Sequence, residues 1–418
     1  MNRLRQFWRY VTKVFALPTR LRGIRANRPQ AVIPTHVLSG SLLLGVVLRT
    51  PSLLALQKQT KRRGWQRLLH WHQRISDDAF GYALERYQLA DWRAVLVAVN
   101  RTLKANKAFE SAKIGGRLVV AVDANEQFKS QCRCCPDCCQ RQLTVKDAQG
   151  RTQQVTEYYH RQVYAQLHGP EFSVILDLEP IRPGEDEAGA ALRLLGRMRR
   201  LYGPRFFDVI TVDAWYTTGP FLKAVQRLGW GVVSVLKQER YEIYQEATAL
   251  RARQAPRAWQ WADRAVDLWE IKDLPFTDAA IGPVRVVLAD ERWTARQQRG
   301  GRTERVARQR HWRWLATREL ADADVTQIWR IGHQRWGVEN HAFNELTQFY
   351  HLTHCPRHEG TAIQAWLLIL VLGFNLFELF VRLHGKLWRQ GQTTLTDLCE
   401  ELDRALEAVP ELEPLWSG

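Results

Sequence analysis

The feature that most constrains the fold is a change of hydrophobic period at Leu118. Before it, apolar residues recur at helical spacing in short stretches broken by Pro18, Pro29, Pro34 and Pro51. The stretch DDAFGYALERYQLADWRAVLVAVNRTL predicts the clearest of these helices, with Asp77 or Asp78 as its N-cap. After Leu118, LVVAVD and FSVILDLEP are continuous apolar runs of strand length, and YYHRQVYAQLH between them alternates. DEAGAALRLLGRMRRLYG reads as a helix with an acidic first turn and Gly203 just past its end. FFDVITVD is then a strand, TGPFLKAVQRLG a helix closed by Gly229, and GVVSVLK another strand. Three strands, then helix, strand, helix and strand, predict a mixed α/β core of about 120 residues behind a helical N-terminal domain.

Composition shifts again between Gln238 and Leu320, where the strand-like AVDLWEIKDLPF, GPVRVVLAD and HWRWLAT sit among basic, tryptophan-rich segments. The expected organisation is a helical region at 1–112, the first part of the core at 113–237 and a β-rich insertion at 238–320. The last core helices follow at 321–384, with a helical tail at 385–418. The run AIQAWLLILVLGFNLFELFV from Ala362 carries Gln364, Asn375 and Glu378, which predicts a buried core helix and not a membrane span. The opening MNRLRQFWRYVTKVF interleaves arginine with aromatics where a cleavable leader would be apolar, so a cytoplasmic protein is expected.

Charge narrows the partner. The formal net charge is +17, and residues 1–76 hold fifteen Lys or Arg and no acid. A second run, RWTARQQRGGRTERVARQRHWR from Arg292, has eight arginines and one glutamate. Either could be a solvated face, but asymmetry of this size favours a polyanion, and contact with a nucleic-acid backbone is the expectation.

Two acids end predicted strands: Asp123 in VVAVD and Asp213 in VITVD. If the strands are neighbours, both carboxylates leave the sheet at one edge and can hold divalent cations through hard oxygens. With a third acid such a pair suits two-metal phosphoryl chemistry. In HQRWGVENHAFNEL, Arg335 and Glu339 are four apart on one helix face, either as an intrahelical ion pair or as phosphate and metal contacts. Glu345 and Glu126 compete for the role of third acid, and spacing alone does not separate them from Glu339.

VAVDAN, VDAWY and RWGVENHAFNEL resemble the three carboxylate-bearing motifs of bacterial cut-and-paste insertion-sequence DDE transposases, and in the same order. The resemblance implies an RNase H-like core, divided between 113–237 and 321–384 by the insertion at 238–320. It implies Asp123, Asp213 and Glu339 as ligands of Mg²⁺ or Mn²⁺, and Arg335 as the arginine of a Tyr-Arg-Glu-Lys signature. The tyrosine position is Gly332 and the lysine position Leu346, which departs from that signature, with His333 and His351 as conceivable substitutes. Also implied are double-stranded DNA as partner, cleavage and strand transfer at element ends, a dimer in the synaptic complex and a bacterial, nucleoid-associated location. Hairpin formation in such enzymes stacks a flipped base on an aromatic, for which Trp215, Trp259, Trp261, Trp269, Trp293, Trp312 and Trp314 are candidates. A non-catalytic DNA-binding regulator and an RNase H-like nuclease without strand transfer are the alternatives.

SQCRCCPDCCQRQL packs Cys132, Cys134, Cys135, Cys138 and Cys139 between the first two core strands. In a reducing compartment such a cluster points to metal before disulfides. Cys132 with Cys135, and Cys135 with Cys138, each form a C-x-x-C knuckle, and tetrahedral zinc needs four soft ligands. Local thiols could supply all four, or His160 could complete Cys132, Cys135 and Cys138 from the next strand; inert reduced thiols are the alternative. Some relatives in the family carry a C-x-x-C here followed by YYH, which resembles Cys135, Cys138 and His160. The expected metal is a structural zinc, separate from the carboxylate site.

Overall fold

The computed structural model describes residues 3–147, 149–170, 172–299, 302–337, 342–384 and 394–408. The described strands, in chain order, are β1 (Val119–Ser130), β2 (Cys139–Lys146), β3 (Thr152–His168), β4 (Ser173–Pro180) and β5 (Val209–Val212). They continue as β6 (Gly231–Val235), β7 (Arg257–Trp261), β8 (Arg264–Leu274), β9 (Val284–Arg299) and β10 (Arg302–Ala316). Contacts group the chain into two units: Met1–Phe109, Ala124–Ala190 and Glu339–Gly418 form one, and Glu110–Asp123 with Ala191–Val338 the other.

The first unit is built around the helix Gly360–His384, against which the helices Thr35–Val47, Asp77–Arg86 and Leu89–Ala105 and strand β4 pack. Its apolar run meets a length and composition test for a membrane span, yet most of it is buried inside this unit. A Cβ at Gly373 would come 2.5 Å from Val46 Cγ1, so glycine there lets the helices Thr35–Val47 and Gly360–His384 approach closely. The single helix expected from Asp77 onward is two, Asp77–Arg86 and Leu89–Ala105. The break has a tertiary cause: Tyr87 is buried, bridges Ala26 and bonds Ser39 through its hydroxyl at 3.0 Å. The N-cap is Ser76, whose hydroxyl accepts the Ala79 amide, while Asp77 and Asp78 fill the first turn. Pro18 also starts a helix, Leu17–Arg22, instead of breaking one.

In the same unit β3 pairs antiparallel with β2 and β4. Strand β4 pairs with β3, and the buried Asn375 amide bonds both the Ile175 amide at 2.9 Å and its carbonyl at 2.7 Å. A polar residue in the middle of an apolar helix is thereby explained: it satisfies strand backbone that would otherwise be buried without a partner.

In the second unit β1 pairs parallel with β5, and β5 parallel with β6. The helix Gly219–Arg227 forms the crossover between them, and Gly229, with φ 87°, turns the chain back. The β-rich segment does not stand apart from this sheet. Strand β10 pairs antiparallel with β6 and with β9, β8 joins β9, and β7 joins β8, so the sheet runs β1-β5-β6-β10-β9-β8-β7. The helix Val325–Gly337 covers one face, burying Val325, Ile328 and Ile331 against Val209, Val233 and Trp314. The first unit thus carries an antiparallel β2-β3-β4 set and the second a parallel β1-β5-β6 set with its crossover helix, a mixed α/β architecture.

Replacing Asn375 by leucine orphans the buried Ile175 amide and leaves its carbonyl the longer bond from Asn100 at 3.4 Å, and the expected loss is about 1–3 kcal/mol of unfolding free energy. A lower urea midpoint at unchanged m-value is the measurement.

Candidate active site and metal centre

Parallel pairing decides where the acids go. Val119, Val120 and Ala121 of β1 stand opposite Val209, Ile210 and Thr211 of β5, and the same register carried on sets Asp123 opposite Asp213. Asp213 directly follows the last residue of β5, and its Oδ1 accepts the Ala214 amide to open a short 3₁₀ turn. Asp123, expected at a strand end, lies within β1, which continues to Ser130.

Both carboxylates face one guanidinium. Arg335 Nη1 lies 3.2 Å from Asp123 Oδ2 and 4.0 Å from Asp213 Oδ2, with the arginine side chain only 1% exposed. Its guanidinium also lies 4.3 Å from the Trp336 ring centroid. A buried guanidinium needs anionic partners, and two carboxylates side by side need a cation; each supplies what the other lacks. A second cation, Lys237 just past β6, brings its Nζ to 3.5 Å from Asp213 Oδ1. Hard oxygens from adjacent strands thus converge where positive charge already gathers, and Asp123 and Asp213 fit a divalent cation as two of its ligands.

Glu339 lies outside the described residues. Of its competitors, Glu345 pairs with Arg49 at 3.5 Å, in the first unit. There it adjoins Glu378, whose carboxyl burial and the nearby Glu345 push well above its ordinary value. Glu126 pairs with Lys129 and Arg141, each at 2.8 Å.

The departures from the four-residue signature have steric causes. A Cβ at Gly332 would overlap the indole of the fully buried Trp314, so the tyrosine position is closed by a tryptophan from β10. Leu346, at the lysine position, is fully buried. His333 bonds the fully buried Glu291 at 2.6 Å, and Trp329 Nε1 donates to the same oxygen at 2.9 Å. Arg264 pairs with the other Glu291 oxygen at 2.8 Å. Burial alone would raise the Glu291 carboxyl, but His333 and Arg264 hold it below its ordinary value. His351 Nε2 lies 3.3 Å from the Arg49 carbonyl, in the first unit.

Most of the candidate tryptophans pack against other rings. Trp312 stacks on Trp314 with centroids 5.7 Å apart, Trp259 meets Trp329 and Trp261, and Arg251 lies over Trp269 and Arg264 over Trp293. Trp215, two residues after Asp213, is 65% exposed. The arginine-rich run forms the paired strands β9 and β10, in which Arg292, Arg296, Arg305, Arg308 and Arg310 are exposed.

All seven cysteines are free. In the first unit, Cys135, Cys138, His160 and His358 bring one ligand atom each to within 4.8 Å of one another. The Cys135 and Cys138 sulfurs are 3.7 Å apart, and sulfur-to-Nε2 separations are 3.4, 3.3 and 3.2 Å. Tetrahedral zinc, with bonds of about 2.3 Å to sulfur and 2.0–2.1 Å to nitrogen, has edges of about 3.8 Å (S–S) and 3.6 Å (S–N). The cluster fits that ion. Cys132 is exposed and turned to Ser130 Oγ; the fourth position is taken by His358, which sequence reading missed. Burial pushes the Cys135 thiol up to about 12, and burial with the nearby His358 lowers His160 to about 4. Metal would therefore have to displace thiol protons and meet neutral imidazoles.

Residues 172–376 match a family described as "Transposase DDE domain", a span that includes Asp213, Arg335 and Glu339. Among solved structures, a piggyBac transposase synaptic complex with hairpin DNA is similar at 12% identity and a TM-score of 0.43, over 96% of this chain and 79% of that one. No curated protein matches.

Gly332→Ala should cost about 1–3 kcal/mol through overpacking against Trp314. The cost should shrink in a Trp314→Leu background, a coupling that a double-mutant cycle of thermal midpoints measures.

Proposed function

The chain belongs to the DDE transposases, and on that premise we propose that it binds the ends of a bacterial insertion element, cuts phosphodiesters there and joins the freed 3′ ends to target DNA. The observation that carries this reading is the pairing of Asp123 and Asp213 on adjacent parallel strands across the buried Arg335. In this reading Glu339 is the third carboxylate, assigned by the resemblance of RWGVENHAFNEL to the family's third motif.

Mg²⁺ or Mn²⁺ bound by the carboxylates supplies activation of the attacking oxygen and stabilisation of the leaving one. The protein's part is placement. In the first step water attacks the phosphorus at the element's end, the P–O3′ bond breaks and the 3′ oxygen leaves as a hydroxyl. In the second that hydroxyl attacks a target phosphodiester and the target's own 3′ oxygen leaves, so the number of phosphodiester bonds is conserved. Arg335, fixed beside both carboxylates, neutralises charge on the phosphoryl group in each step.

The exposed arginines of β9 and β10 and the acid-free basic residues 1–76 suit phosphate-backbone contact. Trp215, exposed next to Asp213, suits stacking on an unpaired base. Two ends must be brought together, so the active species in this reading is a dimer on DNA, acting at the nucleoid. Cys135, Cys138, His160 and His358 hold a structural zinc that ties the β1–β2 connection to the start of the helix Gly360–His384.

A labelled duplex carrying the element's end, incubated with the protein and Mg²⁺, should be nicked at the element's boundary, and Asp123→Ala or Asp213→Ala should reduce cleavage below detection with binding retained. Tight binding without cleavage by wild type would leave a DNA-binding regulator, and cleavage indifferent to end sequence a nuclease. Elemental analysis should find one zinc per chain, lost in Cys138→Ser and His358→Ala and retained in Cys132→Ser.

A further inference from the structure

We infer that Lys237 is the exchangeable cation of this site, pairing with Asp213 when divalent ions are absent and moving to a phosphate of the bound DNA strand when they occupy the carboxylates. The inference rests on the reading above and adds a residue that the four-residue signature does not contain. Strand β6 lies beside β5, so Lys237, just past the end of β6, reaches the same sheet edge as Asp213. Two carboxylates, Asp123 and Asp213, face two cations, Arg335 and Lys237, and the formal charges of the four cancel.

The two cations differ in freedom. Arg335 is 1% exposed and lies near both acids on the helix Val325–Gly337. Lys237 is 54% exposed and meets Asp213 at the end of a flexible four-carbon stem. An exposed ion pair of this kind is weak and is given up at little cost. Divalent ions on the carboxylates repel the ammonium at close range, and a DNA phosphate arriving at the same edge is its replacement anion. The signature's lysine position cannot play this part, because Leu346 there is buried.

The test compares the full-length protein with Lys237→Gln and Lys237→Arg. Calorimetric titration with Mn²⁺ without DNA should give roughly 3- to 10-fold tighter binding in Lys237→Gln, since a competing cation is gone. Binding to an end duplex in Ca²⁺, read against salt concentration, should lose about one unit of log–log slope in Lys237→Gln, with Lys237→Arg restoring it. Both changes are required. Unchanged or weaker Mn²⁺ binding would overturn the exchange, and an unchanged salt slope would overturn the phosphate contact. Neither readout needs turnover, so a wild type that fails to cut element ends would refute the transposition reading and leave these two measurements to judge Lys237.

Discussion

The site depends on one mutual neutralisation, the guanidinium of Arg335 between the carboxylates of Asp123 and Asp213. Parallel strands in register bring two like charges to one edge, and this is tolerable only with a cation at the same depth. Arginine suits the position because it remains charged when buried and offers several donors from one planar group. The arrangement constrains the rest of the second unit. The helix Val325–Gly337 must lie where it presents Arg335 to Asp123 within β1 and to Asp213 just past β5.

That placement is fixed partly from the β-rich segment. Glu291 on β9 bonds both Trp329 and His333, one turn apart on the helix that ends with Arg335 and Gly337. Trp314 of β10 fills the space over Gly332 on the same helix. The aromatic residues of the segment are therefore largely structural, holding the arginine-bearing helix down on the sheet. Trp215 is different, being exposed on the turn that Asp213 opens.

The parallel core was legible because its strands are continuous apolar runs with glycine-closed helices between them, a local pattern that tertiary context did not override. The pairing of Asp123 with Asp213 followed from strand ends in that pattern. What failed to show was set by contacts distant in the chain. Tyr87 interrupts an otherwise uniform helical period because it must reach Ser39 and Ala26. His358 completes the cysteine cluster from far along the chain, so no local spacing could distinguish it from any other histidine, whereas Cys132 had the right spacing and the wrong direction. Gly332 read as a defect in a signature; it is the complement of a tryptophan on another strand.

The pairing of β10 with β6 has a mechanical meaning. Strand β10 runs without interruption from the exposed arginines near Arg305 to Trp314, Leu315 and Ala316, which are bonded to β6. At about 3.3 Å per residue its fifteen residues form a spar of roughly 50 Å. Its root is stitched to the strand that precedes Lys237. A pull on the distal end is thus borne by backbone hydrogen bonds and delivered at the sheet edge that carries Asp213 and Lys237, with the β9–β10 pairing continuous from Arg302 to Ala316.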